Sequence, residues 1–231
     1  MKRRAVEQPD QSLKQVYTEV LRETLSKLAH THDAEEVASA IQNFNASKSA
    51  LCRARAQVRP PPVTELRDLV LEGLWTKTIS GEEFLLINDG TEKRILGFCT
   101  EDSLRIVCRT PSVYMDGTFR VVPRLFRQLY TLHCFYKGQM MPLVYFLLPD
   151  QHSETYRRMF NLLKNAAGSR GLIFRPAHFQ LDYEVAALRA IEEIFPAAVV
   201  KGCQFHFSQA IWRKAQECGL KSYYDDPSVK R

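Results

Sequence analysis

Leu13, Val16, Tyr17, Val20, Leu21, Leu25 and Leu28 recur every three or four positions between residues 11 and 29, with polar residues between them. That spacing predicts an amphipathic helix. Asp33 then reads as the cap of a second helix, Ala34 to about Gln42, with Glu35 and Glu36 favourably placed in its first turn. Asn45-Ala46-Ser47 opens a third, Lys48 to Gln57, and Pro60-Pro61-Pro62 follows as a stiff linker. The linker divides the chain into a helical region, 1–62, and a larger domain, 63–231. Val63 to Lys77 opens the second part as a further helix, with Leu66, Leu69, Val70 and Leu74 on one side.

The period then shortens to that of strands. Phe84–Ile87 and Arg94–Phe98 flank Asn88-Asp89-Gly90, a strong hairpin signal, and Asp102 reads as the cap of a short helix carrying Leu104, Ile106 and Val107. Val113 and Met115 alternate with Tyr114 and lead into Asp116, which Gly117 follows. Gln128–Tyr136 and Gln139–Leu148 are two more strands, joined by a tight Lys137-Gly138 turn. A helix beginning at Ser153 and Glu154 buries Tyr156, Met159, Phe160, Leu162 and Leu163. His178–Leu181 is a fourth strand ending in Asp182, Val185–Phe195 a helix, Ala197–Lys201 a fifth strand, and His206–Cys218 the last helix. Three strands in a meander, then helix, strand, helix, strand, is the order of an RNase H-like α/β fold. Its mixed five-stranded sheet has flanking helices and is preceded here by a small all-α region of helix-turn-helix outline. In that order the first and fourth strands are neighbours, which sets Asp116 beside Asp182.

Composition narrows the function classes. With 231 residues, 45% hydrophobic and 25% charged, the chain is expected to be globular. A formal charge of +6 and a pI near 9.0 favour polyanionic partners. Lys48, Arg53, Arg55 and Arg59 concentrate that charge on and just beyond the third helix, where they suit DNA phosphates without specifying bases; the alternative is a solvated helical arm. The six cysteines lack disulfide-framework spacing, which fits a reducing compartment. Met1-Lys2-Arg3-Arg4 runs into polar residues and so is no signal peptide, but it suits nuclear import. No window of 18 apolar residues is present, so no membrane span is expected.

The chemistry-bearing candidates are few. Two carboxylates about 4 Å apart repel by roughly 4 kcal/mol at an effective dielectric near 20, and a hard divalent cation with oxygen ligands offsets that repulsion. Asp116 and Asp182 are therefore a candidate metal pair, each also readable alone as a turn or capping aspartate. Cys203 and His206 form a Cys-x-x-His pair at the start of the last helix. Zinc suits that spacing, but a structural site needs four ligands, so the preferred reading is a packed thiol and a hydrogen-bonded histidine fixing the turn. His133 and Cys134 sit in one strand and point to opposite faces, against a nucleophilic pair, and no phosphate-binding glycine loop is present.

Tyr114-Met115-Asp116-Gly117-Thr118-Phe119, then Leu181-Asp182-Tyr183-Glu184 with Ala187 and Ala190-Ile191, then Phe195-Pro196 and Gly202-Cys203-Gln204-Phe205-His206-Phe207, resemble the catalytic core of Mutator-like element (MULE) transposases. The resemblance covers roughly 110–220, and the basic helical stretch before the prolines is similar to the region preceding the core in animal members. It implies a DDE transposase in the nucleus, acting on transposon ends and target DNA, with homo-oligomers among its assemblies. Asp116 and Asp182 are then catalytic ligands of Mg²⁺ or Mn²⁺ in a two-metal site for phosphodiester cleavage and strand transfer. The implied third acid, a glutamate, lies beyond the Cys-x-x-His motif. Glu217, Asp225 and Asp226 are available there and none matches a motif. The expectation is a C-terminally truncated core with impaired strand transfer; the alternative is a non-catalytic, transposon-derived DNA-binding or interaction protein.

Overall fold

The computed structural model describes residues 1–8, 11–28, 41–57, 63–119 and 121–224, and the chain divides into two compact units, 1–62 and 63–231. In the first unit, α1 (Lys2–Glu7), α2 (Leu13–Leu28) and α3 (Phe44–Ala56) close on Ala5, Val16 and Leu51. Helix α2 starts in a capping box: Ser12 Oγ accepts from Gln15 N at 3.2 Å, and Gln15 Oε1 accepts from Ser12 N at 2.9 Å. Helix α3 begins earlier than expected because Asn43, not residues 45–47, is the cap, its side chain accepting from Ala46 N at 2.9 Å. Most of the expected helix Ala34–Gln42, and the proline linker 60–62, lie outside the described residues.

Arg55 holds this unit together. It is 6% exposed, and its guanidinium donates from Nε to the Ala5 carbonyl at 2.8 Å and from Nη2 to the Gln8 carbonyl at 2.9 Å. Those carbonyls belong to the last turn of α1 and the residue after it, where a helix leaves its acceptors unpaired. A six-residue helix is marginal alone, so α1 depends on this clamp.

In the second unit the expected helix over 63–77 is replaced by two 3₁₀ turns, Leu66–Asp68 and Gly73–Thr76. Gly73 has φ +56°, which interrupts a right-handed helix, and the Leu66 and Leu69 carbonyls accept from Arg94 Nη1 instead of from amides four residues on. Strands β1 (Leu85–Asp89) and β2 (Ile95–Phe98) form the expected hairpin, with Gly90 at φ +83° in the turn. Helix α4 (Glu101–Arg109) is capped by Thr100, whose hydroxyl accepts from Ser103 N at 3.2 Å; Asp102, expected as the cap, lies within the first turn.

The sheet has seven strands, not five. β3 (Ser112–Thr118), β4 (Gln128–Tyr136), β5 (Gln139–Leu148), β6 (His178–Leu181) and β7 (Val199–Gly202) join β1 and β2 in the order β1-β2-β5-β4-β3-β6-β7. The additional pair attaches through β2 to the outer side of β5, Leu96 opposite Leu147, a long-range pairing that local pattern does not announce. β3, β6 and β7 run parallel, and the remaining neighbours are antiparallel. Lys137 (φ 49°) and Gly138 (φ 82°) both take left-handed backbone in the β4–β5 turn, the geometry that matches strand twist.

Helices α5 (Ser153–Gly168) and α6 (Val185–Ile194) share one core with α4 and one face of the sheet. Val113, Met115, Tyr130, Leu132, Cys134, Phe179 and Leu181 enter that core with Tyr156, Phe160, Leu163, Ala187 and Ile191. Side chains alternate along a strand, so Tyr114, Asp116, Thr131, His133 and Gln180 belong to the opposite face. Helix α7 (Gln204–Glu217) follows β7, and α8 (Lys221–Tyr224) follows α7.

Arg55→Ala is expected to cost about 1–3 kcal/mol, because two carbonyls lose their donor. Amide hydrogen exchange is expected to show protection lost selectively over α1; protection equal to wild type would remove Arg55 as its clamp.

Candidate active site

Strands β3 and β6 pair in register at Ser112↔His178, Val113↔Phe179 and Tyr114↔Gln180, an offset of 66 residues (178 − 112) in every pair. Asp116, on the face away from the helices, stands two residues beyond Tyr114, and Asp182 stands two residues beyond Gln180, with the same offset. Neighbouring strands lie about 4.8 Å apart, and the same register, continued two residues past the last ladder pair, would set Asp116 opposite Asp182. Both are partly exposed, and Asp182 comes one residue after β6 ends, where Cys203 N donates to the Leu181 carbonyl at 2.7 Å.

The surroundings of Asp116 were not legible in the sequence. His206, one turn into α7, brings Nε2 to 3.8 Å from Asp116 Oδ1, while its buried Nδ1 has no hydrogen-bond partner. Thr131 lies opposite Asp116 on β4, and its hydroxyl donates to the Asp116 carbonyl at 3.3 Å. With its proton so engaged, Thr131 Oγ1 accepts from His133 Nε2 at 2.8 Å, which assigns the ring hydrogen to Nε2. Burial lowers the His133 imidazole below its ordinary 6.5, against the opposing pull of the Asp116 charge.

A second group lies on the core side of the sheet. Tyr156 donates its hydroxyl hydrogen to Glu184 Oε1, which also accepts from Gln151 Nε2 at 3.2 Å, and Gln128 Nε2 donates to the Tyr156 oxygen. Burial raises the Glu184 carboxyl, the Tyr156 hydrogen bond opposes that rise, and the Asp182 charge adds to it. Tyr130, fully buried with an unpartnered hydroxyl, has its phenol pushed well up by burial first, and then by Tyr156, Glu184, Asp182 and Asp116.

Cys203 supplies the turn into α7, and only His206 of the Cys-x-x-His pair faces an acid. Among the described residues no three His, Cys, Asp or Glu side chains gather closely enough to hold a metal ion by themselves. Glu217 ends α7 paired with Lys214 Nζ at 3.1 Å, and Asp225 and Asp226 lie outside the described residues. Cys134 is in the core, where burial pushes its thiol up to about 11, so it stays protonated at neutral pH. In the helical unit Lys48 and Arg53 are exposed, Arg55 is engaged with backbone carbonyls, and Arg59 lies outside the described residues.

The acids, as a pair of hard oxygen donors, fit a divalent cation whose remaining ligands are water and phosphate oxygens, the usual Mg²⁺ arrangement. Residues 112–210, spanning both aspartates and His206, match the family model of the MULE transposase domain. No curated protein and no solved structure matches the chain.

A depressed histidine makes the unfolded chain the better proton acceptor, so its stabilising effect is complete above pH 6.5 and is lost as pH falls through the folded value. The melting temperature of wild type is expected to drop more steeply over that interval than that of His133→Asn. Parallel curves would show that His133 is not responsible.

Proposed function

We propose that residues 112–210, which match the family model of the MULE transposase domain, form an RNase H-like catalytic core that uses Asp116 and Asp182 to bind Mg²⁺ or Mn²⁺ and cut DNA phosphodiesters. The observation that supports this reading is the constant register of β3 against β6, which on continuation by two residues would set the two acids next to each other. The fold supports it as well. Within the sheet, β5-β4-β3-β6-β7 reproduces a meander followed by two parallel strands, with α5 before β6 and α6 before β7.

Each residue then has a defined task. Asp116 and Asp182 supply the anionic oxygens, and Thr131 fixes the backbone of Asp116 from β4. His206, within 3.8 Å of Asp116, borders the acid pair from α7. A divalent cation held there supplies Lewis acidity, which lowers the pKa of bound water and stabilises the attacking and leaving oxygens of an in-line displacement.

A transposase-type domain acts on DNA, and the chain carries a formal charge of +6 to meet it. Lys48 and Arg53 are exposed on α3 and suit phosphate oxygens; Arg59 belongs to the same basic stretch. Such contacts weaken steeply with added salt and read no bases. Arg55 contributes indirectly, by holding α1 against α3. The reading extends to transposon ends and target DNA as substrates, to a nuclear location, and to a homo-oligomer that holds more than one DNA segment.

Asp116→Asn is expected to abolish both Mn²⁺ uptake measured by calorimetry and Mn²⁺-dependent cleavage of duplex DNA, with salt-sensitive DNA binding retained. Metal uptake unchanged in the variant would remove Asp116 from the site. DNA binding by a wild type that takes up no Mn²⁺ would instead establish the non-catalytic DNA-binding alternative.

A further inference from the structure

The two acid-bearing segments are also connected through the core side of the sheet. At one end stands Gly117, the residue after Asp116, where a Cβ would lie 3.1 Å from Gln128 Oε1 and 3.3 Å from the Tyr130 ring. Gln128 therefore packs directly against the β3 backbone beside the acid. From there its Nε2 donates to the Tyr156 oxygen, and Tyr156 donates to Glu184, two residues beyond Asp182. Gln128 and Tyr156 are fully buried, and the Tyr156 ring is fixed against that of Tyr130 at 5.2 Å between centroids. Gln151 provides a second donor to Glu184 at 3.2 Å, from the segment just before α5. Between Asp182 and Glu184, Tyr183 covers Gly202 so closely that a Cβ there would come within 2.5 Å of the tyrosine hydroxyl.

We propose that Gln128, Tyr156 and Glu184 are positioning residues that fix the Asp182 loop relative to Asp116, by the packing of Gln128 beside Gly117 and the hydrogen bonds that run from it to Glu184. The β3–β6 pairing ends at Tyr114↔Gln180, before either acid is reached. Beyond that point no ladder bond between these strands holds the acids at strand spacing. The Gln128–Tyr156–Glu184 chain runs from Gln128, whose buried Oε1 has no hydrogen-bond partner and packs beside Gly117, to the carboxylate of Glu184, two residues beyond Asp182. Glu184 acts in it as a hydrogen-bond acceptor. Both of its donors, Tyr156 and Gln151, meet the same oxygen, Oε1.

The inference rests on the reading of Asp182 as a metal ligand. The experiment measures Mn²⁺ affinity by calorimetry, with amide exchange over 181–184, in wild type, Tyr156→Phe, Glu184→Gln and Glu184→Ala. Outer residues that orient a metal ligand typically contribute about 10- to 100-fold in affinity. Tyr156→Phe and Glu184→Ala are expected to weaken Mn²⁺ binding by about tenfold or more and to speed exchange over the loop. Glu184→Gln, which keeps an acceptor oxygen, is expected to stay close to wild type. Unchanged affinity in both Tyr156→Phe and Glu184→Ala overturns the proposal. So does Glu184→Gln behaving like Glu184→Ala, because charge and not acceptance would then be required. Should Glu184→Ala fail to fold, Tyr156→Phe, which keeps the ring packed against Tyr130, decides the matter. A wild type that takes up no Mn²⁺ overturns the metal reading and this inference with it; uptake in wild type with no loss in the variants overturns this inference alone.

Discussion

The parallel ladder between β3 and β6 joins backbone 66 residues apart, and its chemistry follows from that join. In a parallel pair the connection must cross the sheet, and here α5 makes the crossing. Tyr156, Met159, Phe160, Leu163 and Ala167 give α5 a buried face that seats on β4 and β6. Packing on one side of the sheet thereby decides which polar residues meet on the other. A shift of one residue in β6 would send Asp182 into the core and Leu181 to water, exchanging a solvated carboxylate for a buried one. The apolar pattern of β6 opposes that slip, so the position of the acid is set by its hydrophobic neighbours.

The β3–β6 neighbourhood was legible because both halves of the argument are local: short apolar runs that read as strands, and a strand order that sequence can give. The Lys137-Gly138 turn was legible for the same reason, since a two-residue hairpin between alternating strands has a specific backbone requirement. Failures came where distant residues took over local groups. The stretch 63–77 has helical spacing, but Arg94, 28 positions beyond Leu66, binds the carbonyls that a helix would use. The β1–β2 hairpin is legible in the sequence while its attachment to β5 is not, because edge pairing leaves no periodic mark. His206 stands out in the sequence by its spacing from Cys203, but its approach to Asp116 depends on where α7 leaves the sheet.

Arginine illustrates the same limit. Arg53 and Arg55 are two positions apart on one basic helix, and composition cannot distinguish them. Two positions on a helix differ by about 200° of rotation, which puts Arg53 in water and Arg55 into the unit's interior. The planar guanidinium is well suited to the buried position, because its fork reaches two separate carbonyls that a lysine could not satisfy in the same way. A cluster of positive charge thus divides into a structural member and solvent-facing members once the helix has a partner.

The Lys137-Gly138 turn also bears on the order in which the domain assembles. It closes the β4–β5 hairpin over two residues, whereas β3 and β6 must enclose more than 60. Each doubling of loop length adds about 0.6 kcal/mol of closure entropy, so the longer closure carries roughly 3 kcal/mol more. Chain entropy therefore favours the meander as the early structure, with β6 docking after α5 has formed. On that route β6 takes its place beside β3 only near the end of folding, and a nascent chain still short of residue 178 holds β3 without its parallel neighbour.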